Sequence, residues 1–274
     1  MTKLEEFQNL FGVNKPIIGM LHLKPLPGSP VYDGLGLDTV IETALKDAGA
    51  LVKGGINGLE VENFNDPSYF PDTAPPETVA SIAVVAREIK KEFPNIPLGI
   101  CILSDPISSI AVAHVVGAKF IRATFFTEAA VDVSGLVLRR PHDILRFRKF
   151  LDPTIKIFAD IHVKHSAPLV QRPIEESAYD AAYFLADAVL ISGKHTGFAT
   201  PLKDIKKVKA VLEDFPVLVG SGLNVNNAEE LLKYADGAVT GTSMKYEGKS
   251  TNEVSVERVS ELMLGVSKTR KKDR

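Results

Sequence analysis

Eight short runs rich in Val and Ile, separated by helix-length intervals, constrain this 274-residue chain more than any other feature. They are PIIGMLH (16–22), GLEVEN (58–63), PLGICIL (97–103), KFIRATFF (119–126), IKIFADIHV (155–163), AVLISG (188–193), PVLVGSG (216–222) and GAVTGT (237–242). Most are nearly continuous apolar segments, as parallel strands covered by helices must be. Between them apolar residues return at helical spacing, for example Val40, Ile41, Ala44, Leu45, Ala48 and Leu51 within Leu37 to Lys53. The same periodicity predicts helices over 76–93, 107–116, 142–150, 174–185, 202–215, 228–234 and 254–264. Eight strand–helix units with no linker predict a single-domain (β/α)8 barrel over residues 1–265, and the basic residues 266–274 a frayed tail. An open doubly wound sheet is the competing topology. It calls for a glycine-rich turn after the first strand, where this chain has His22-Leu23-Lys24-Pro25-Leu26-Pro27-Gly28.

In a barrel the loops after the strands converge on one mouth, so the residues at strand ends are the candidates for chemistry. The last two strands end in Gly220-Ser221-Gly222 and Gly241-Thr242-Ser243. Bare backbone there lets N–H groups approach an anion, and barrels often place a phosphate between loops seven and eight. Gly220, Ser221, Gly222, Gly241 and Thr242 are therefore read as phosphate-binding; tight turning alone is the plainer explanation.

Strand 5 brings Asp160, His162 and Lys164 into one phase, with His165 next. An acid, an imidazole and an amine at one mouth are the ingredients of proton transfer or of an activated lysine. In this reading Asp160 orients His162 or Lys164, with Glu62 opposite and His22 as a further acid/base group. A Schiff base on Lys164 is a subordinate option, since its amine would need desolvation. Glu60 and Glu62 share one side of strand 2, as a metal site or a shared proton would require. Asn63, Arg122, His165 and Thr196 are read as substrate contacts, and Arg122 serves equally well as an ion-pair partner for Glu60, Glu62 or Asp160. Cys101 lies in an apolar run and reads as a small buried hydrophobe. No His/Cys spacing marks a zinc site and no cofactor is called for; Mg²⁺ held by carboxylates and a phosphate stays open.

A net charge of −2 gives no positive field to draw nucleic acid or anionic lipid, and the one basic run, Lys268 to Arg274, is terminal. The single cysteine suits a reducing compartment, and no apolar stretch approaches the roughly 20 residues of a membrane span. With no signal-like core in MTKLEEFQNLFGVNK, a cytoplasmic location is expected. Homo-oligomerisation is open, but no helix stripe identifies an interface.

The stretches IIGMLHLKPLPGSP (17–30), GGINGLEVENFND (54–66), GAKFIRA (117–123), ADIHVKHSAPL (159–169), GSGLNVNNAEELL (220–232) and DGAVTGTSMKYEG (236–248) resemble the BtpA family, over nearly the whole chain. The resemblance implies a ribulose-phosphate-binding-like (β/α)8 barrel, in a family some of whose members are named photosystem I biogenesis factors. Two stretches depart from the family pattern. CILSDP (101–106) stands where members usually read NVLRND, and Arg122-Ala123-Thr124 where they read Arg-Val-Asn. A changed substrate and a site that has lost activity are both open on that basis. Three functions remain: an enzyme acting on a small phosphorylated metabolite by acid/base or lysine chemistry, a non-catalytic assembly factor using the barrel as a binding module, and an FMN-dependent barrel enzyme.

Overall fold

Side-chain alternation along each strand builds two cores at once. In β1 (Ile17–His22) the odd positions Ile17 and Leu21 join the outer core between strands and helices, while Ile18 and Met20 join the inner one. The same division holds in β2 (Gly58–Glu62), where Leu59 and Val61 face the helices. With helices α1 (Lys3–Phe11), α2 (Leu37–Lys53), α3 (Pro76–Glu92) and α4 (Pro106–Val116) come β3 (Leu98–Cys101) and β4 (Phe120–Ala123). After β4 the chain makes a hairpin, β5 (Ala130–Asp132) and β6 (Gly135–Val137), then α5 (Pro141–Leu151), β7 (Lys156–Ile161) and β8 (Ala167–Pro168). The remaining elements are α6 (Ile174–Tyr183), β9 (Ala188–Ile191), α7 (Leu202–Val211), β10 (Val217–Val219), α8 (Ala228–Leu232), β11 (Gly237–Thr240) and α9 (Val256–Lys272). This computed structural model describes residues 1–67, 69–138 and 140–272.

Strands β1, β2, β3, β4, β7, β9, β10 and β11 pair in parallel and close into a barrel, as the eight apolar runs predict. Among the described residues no helix is long and apolar enough to cross a membrane.

The floor of the barrel is aromatic. Phe120 and Phe158 stack at 4.6 Å inside it, and Phe7 and Phe11 of α1 close on them edge-on. Each fully buried ring removes enough apolar surface to contribute roughly 1.5–3 kcal/mol. Helix α1, outside the eight predicted units, is thus the bottom plug. A Thr2–Glu5 capping box starts it, and Lys3–Asp187 (2.5 Å) and Glu6–Lys156 (2.6 Å) pairs tie it to the strand bottoms.

Three departures from the expected layout follow from tertiary contacts. Helix α9 runs to Lys272 where a frayed tail was expected from residue 266: Val266 and Thr269 are buried, and Arg270 donates to the Lys15 carbonyl and Asn57 Oδ1. Helices α6, α7 and α8 stop two to four residues early, before positions that pack without helical backbone. Finally, β5, β6 and β8 form a small antiparallel sheet in the order β6-β5-β8, built from the connections after β4 and β7. Strands of two or three residues carry no readable periodicity.

Candidate functional site

Above the aromatic floor the barrel interior turns ionic on one side. Inward alternation brings Glu60 and Glu62 from β2, Cys101 from β3, Arg122 from β4 and Asp160 from β7 into one buried layer. Arg122 holds Asp160 bidentately, Nε to Oδ2 at 2.7 Å and Nη2 to Oδ1 at 2.9 Å, and its Nη1 stands 3.7 Å from Glu60 Oε1. Burial opposes the guanidinium's charge, but the Asp160 pair and then Glu60 and Glu62 hold it firmly protonated. Of the two roles left open for Arg122, the ion pair is the one the geometry displays.

Among the described residues nothing hydrogen-bonds either carboxylate oxygen of Glu60. Burial pushes its pKa up to about 8, with Arg122 opposing and Glu62 and Asp160 adding to the rise. Fully ionised, Glu60, Glu62 and Asp160 would outnumber Arg122 and Lys164 by one charge, and protonating Glu60 relieves that excess, as a low-dielectric interior favours. Burial likewise raises Glu62 and, strongly, the Cys101 thiol. Ligand atoms of Glu60, Glu62 and Cys101 lie within 4.8 Å of one another, a donor set suited to a divalent cation such as zinc. Arg122 already places positive charge beside that trio.

Over this layer opens a cavity of ≈ 360 Å³ at the C-terminal ends of the strands. His22, Glu62, Arg122 and Lys164 line it together with Thr196, Gly220 to Gly222 and Gly241 to Ser243. His22 stacks on Phe64 at 4.4 Å, with its Nδ1 buried and without a hydrogen-bond partner among the described residues. Burial, then the charges of Lys245 and Lys164, pull its pKa down to about 3, so the imidazole stays neutral around pH 7. A side chain on Gly241 would come within 3.0 Å of His22 Cε1, so the bare residue is what admits this ring. Lys164 is half-buried, and burial followed by Arg122's charge lowers its pKa.

The glycine turns divide in their roles. The amide of Gly220 donates to the Ile191 carbonyl at 2.8 Å, which corrects its assignment as an anion donor. The N–H groups of Ser221, Gly222, Gly241 and Thr242 donate to no acceptor among the described residues. Gly222 sits at φ +69, and a Cβ there would meet the Phe198 carbonyl carbon at 2.4 Å, so only glycine lets the β10 loop lie against the β9 loop. Ser221 Oγ locks that contact, accepting from Gly193 N–H and donating to Phe198 O, both at 3.0 Å.

Strand phase misplaces several predicted residues. Asp160 is committed to Arg122 and orients neither His162 nor Lys164 by a hydrogen bond. His162 has φ +48, which ends the extended alternation one residue past β7. Its ring turns to Ser177 Oγ (3.3 Å) and Glu128 (3.6 Å) beside an outer groove, away from the central cavity. Asn63 accepts from Leu103 N–H at 2.9 Å and braces two loops instead of reaching the cavity. His165 also lines the outer groove; its Nε2 meets Thr196 Oγ1 at 3.1 Å, so it shapes the loop that carries Thr196. Sequence reasoning missed Arg258, Asn224 and Ser243 as cavity residues. Arg258 lies in the first turn of α9 and donates to Ser243 O at 2.9 Å; one more charge on an amphipathic helix carries no local signal.

Comparison with known proteins gives a consistent picture. The model of the BtpA family matches residues 13–268. An uncharacterized protein of Methanocaldococcus jannaschii is 41% identical over 251 residues, covering 91% of this chain and 94% of that one. The photosystem I biogenesis protein BtpA of Synechocystis is 34% identical over 252 residues, covering 91% and 87%. Among solved structures, thiamine phosphate pyrophosphorylase from Pyrococcus furiosus superposes with a TM-score of 0.59 at 15% identity, covering 96% and 98%, a likeness of fold.

Proposed function

The chain belongs to the BtpA family, and on that premise we propose that its barrel binds a small phosphorylated metabolite, a sugar phosphate or nucleotide-like compound, and performs proton-transfer chemistry on it. One observation carries this reading: Ser221, Gly222, Gly241 and Thr242, whose amides bond no acceptor among the described residues, line the same cavity as Lys164 and Glu62. Backbone donors of that kind suit a phosphoryl group, and the Arg258 guanidinium adds a charge-assisted contact. In the same cavity, Lys164 and Glu62 are displaced toward neutrality by burial, which readies one to accept a proton and the other to give it. Neutral His22 serves as a hydrogen-bonding group.

Inorganic phosphate is the simplest probe, followed by titration calorimetry or ³¹P line broadening. Saturable binding is expected, weakened roughly tenfold by Arg258→Ala through loss of one charged hydrogen bond. Absence of phosphate binding in the millimolar range would remove the proposal.

A second reading, a non-catalytic binding module, is favoured by a different observation. Val133, Leu136 and Leu138 on and beside the β5–β6 hairpin are exposed apolar side chains of the kind that mark interaction surfaces. The polar cavity weighs against it, since a binding module gives no reason to bury unpaired ionisable groups at the mouth.

A further inference from the structure

We infer that Lys164 is a covalent nucleophile, forming a Schiff base with the carbonyl carbon of a phosphorylated aldehyde or ketone held in the cavity. The inference rests on the phosphate reading above and names the bond-making residue and the substrate class.

Two features of the fold single out this lysine. First, it is unpaired. Among the described residues no carboxylate lies within ion-pair distance of its Nζ and no acceptor bonds it. The other interior cations are occupied, Arg122 by Asp160 and Lys245 by the Asn252 carbonyl at 2.8 Å and Asp47 at 3.4 Å. An amine that no partner bonds in a cavity is available as a nucleophile, and burial together with Arg122's charge lowers its pKa against the opposing charges of Glu62 and Asp160.

Second, the backbone around it is strained and held so. His162 and His165 bracket Val163-Lys164 with φ +48 and +62, left-handed values that residues other than glycine seldom adopt. Glu128 Oε2 accepts from the His162 amide at 2.8 Å, and Thr196 engages the His165 ring, so surrounding groups enforce the kink. Such enforced outliers cluster at functional sites. Here the two breaks in alternation leave both histidines on the outer groove alone, while Lys164 lines that groove and the cavity wall as well.

The chemistry closes on the residues present. Lys164 Nζ donates its lone pair to the carbonyl carbon, the C=O π pair moves to oxygen, and a proton from nitrogen passes to that oxygen. The carbinolamine C–O bond then breaks with a proton from the Glu62 carboxyl, releasing water and leaving a protonated C=N bond with a Glu62 carboxylate. Glu62 lines the same cavity, and burial raises its pKa, which favours the protonated carboxyl that this step uses. Met20, Val239 and Leu262 supply apolar wall for a short carbon chain.

The test is reductive trapping of the full chain with glycolaldehyde phosphate and sodium borohydride, read by intact mass and peptide mapping. One adduct is expected, equal to the ligand's mass less one oxygen atom, on Lys164. It should form at a roughly tenfold lower concentration than with unphosphorylated glycolaldehyde and be suppressed by inorganic phosphate. Lys164→Met should lose the adduct while retaining phosphate binding; if that variant does not fold, mapping on the native chain decides alone. Phosphate binding without an adduct on Lys164 overturns this inference and leaves the proposed function standing. Absence of phosphate binding defeats the proposed function itself, whatever the labelling pattern.

Discussion

Replacing Arg122 with methionine should be among the most destabilising single changes in the barrel. The guanidinium makes two hydrogen bonds to Asp160 at 2.7 and 2.9 Å, and it is the buried cation nearest Glu60. Two unit charges about 4 Å apart attract by ~4 kcal/mol at an effective dielectric constant of about 20. Removing one partner also strands the other, which typically costs ~3–5 kcal/mol. Methionine fills similar volume, so the cavity contribution stays small. A loss near 4 kcal/mol corresponds to a fall in melting temperature of about 10 °C for a domain of this size. Urea unfolding of Arg122→Met, Asp160→Leu and the double variant forms a cycle. The double variant should recover much of the loss, with a coupling energy of at least ~2 kcal/mol. If Arg122→Met costs under ~1 kcal/mol, the layer is hydrated and its charges screened. The depression of the Lys164 pKa would then lose one of its two causes.

Other expectations follow from the same geometry. Gly222→Ala should destabilise by roughly 2–4 kcal/mol, combining left-handed strain with collision against the Phe198–Ala199 backbone, and should weaken phosphate binding; urea unfolding and calorimetry report the two effects. Glu60, raised from 4.5 to about 8, binds more protons folded than unfolded between those values, so its contribution to stability is complete below pH 4.5 and is lost as pH rises to 8. Glu60→Gln should flatten that decline; a decline identical to that of the unsubstituted chain would place the titration elsewhere. His22, lowered to about 3, works in the opposite sense: its contribution is complete above pH 6.5 and is lost as pH falls toward 3. Histidine-resolved NMR should find no His22 titration between pH 5 and 8. Truncation after Gly265 should lower the melting temperature, because it removes buried Val266 and Thr269 and the Arg270 bonds; an unchanged value would mean that this helix end contributes nothing.

The architecture was legible because barrel formation writes itself into local periodicity. Continuous Val/Ile runs and 3.6-residue patterns are properties of neighbouring residues, and eight of each with no linker leave few topologies. The glycine turns were legible for the same reason, as consecutive residues at the ends of the last two strands. Ser221, Gly222, Gly241 and Thr242 do line the cavity. What local pattern could not state is which amide is already used: Gly220 donates to Ile191, a residue on another strand, and nothing near Gly220 in sequence distinguishes it.

The remaining assignments turned on where extended backbone ends and on which charges meet after closure. Alternation correctly put Asp160 inside, then failed at His162 because φ becomes positive there, a conformation imposed by Glu128 from the β4 connection. Asp160 itself was diverted to Arg122, its neighbour only because β4 pairs with β7. Arg258 arrives at the cavity from the last helix. By itself, then, the sequence determined the barrel, its strand ends and a set of ionisable candidates. Tertiary structure alone decided their pairings, because a buried charge is governed by whatever lies within a few ångströms, and that neighbourhood is assembled from residues far apart in the chain.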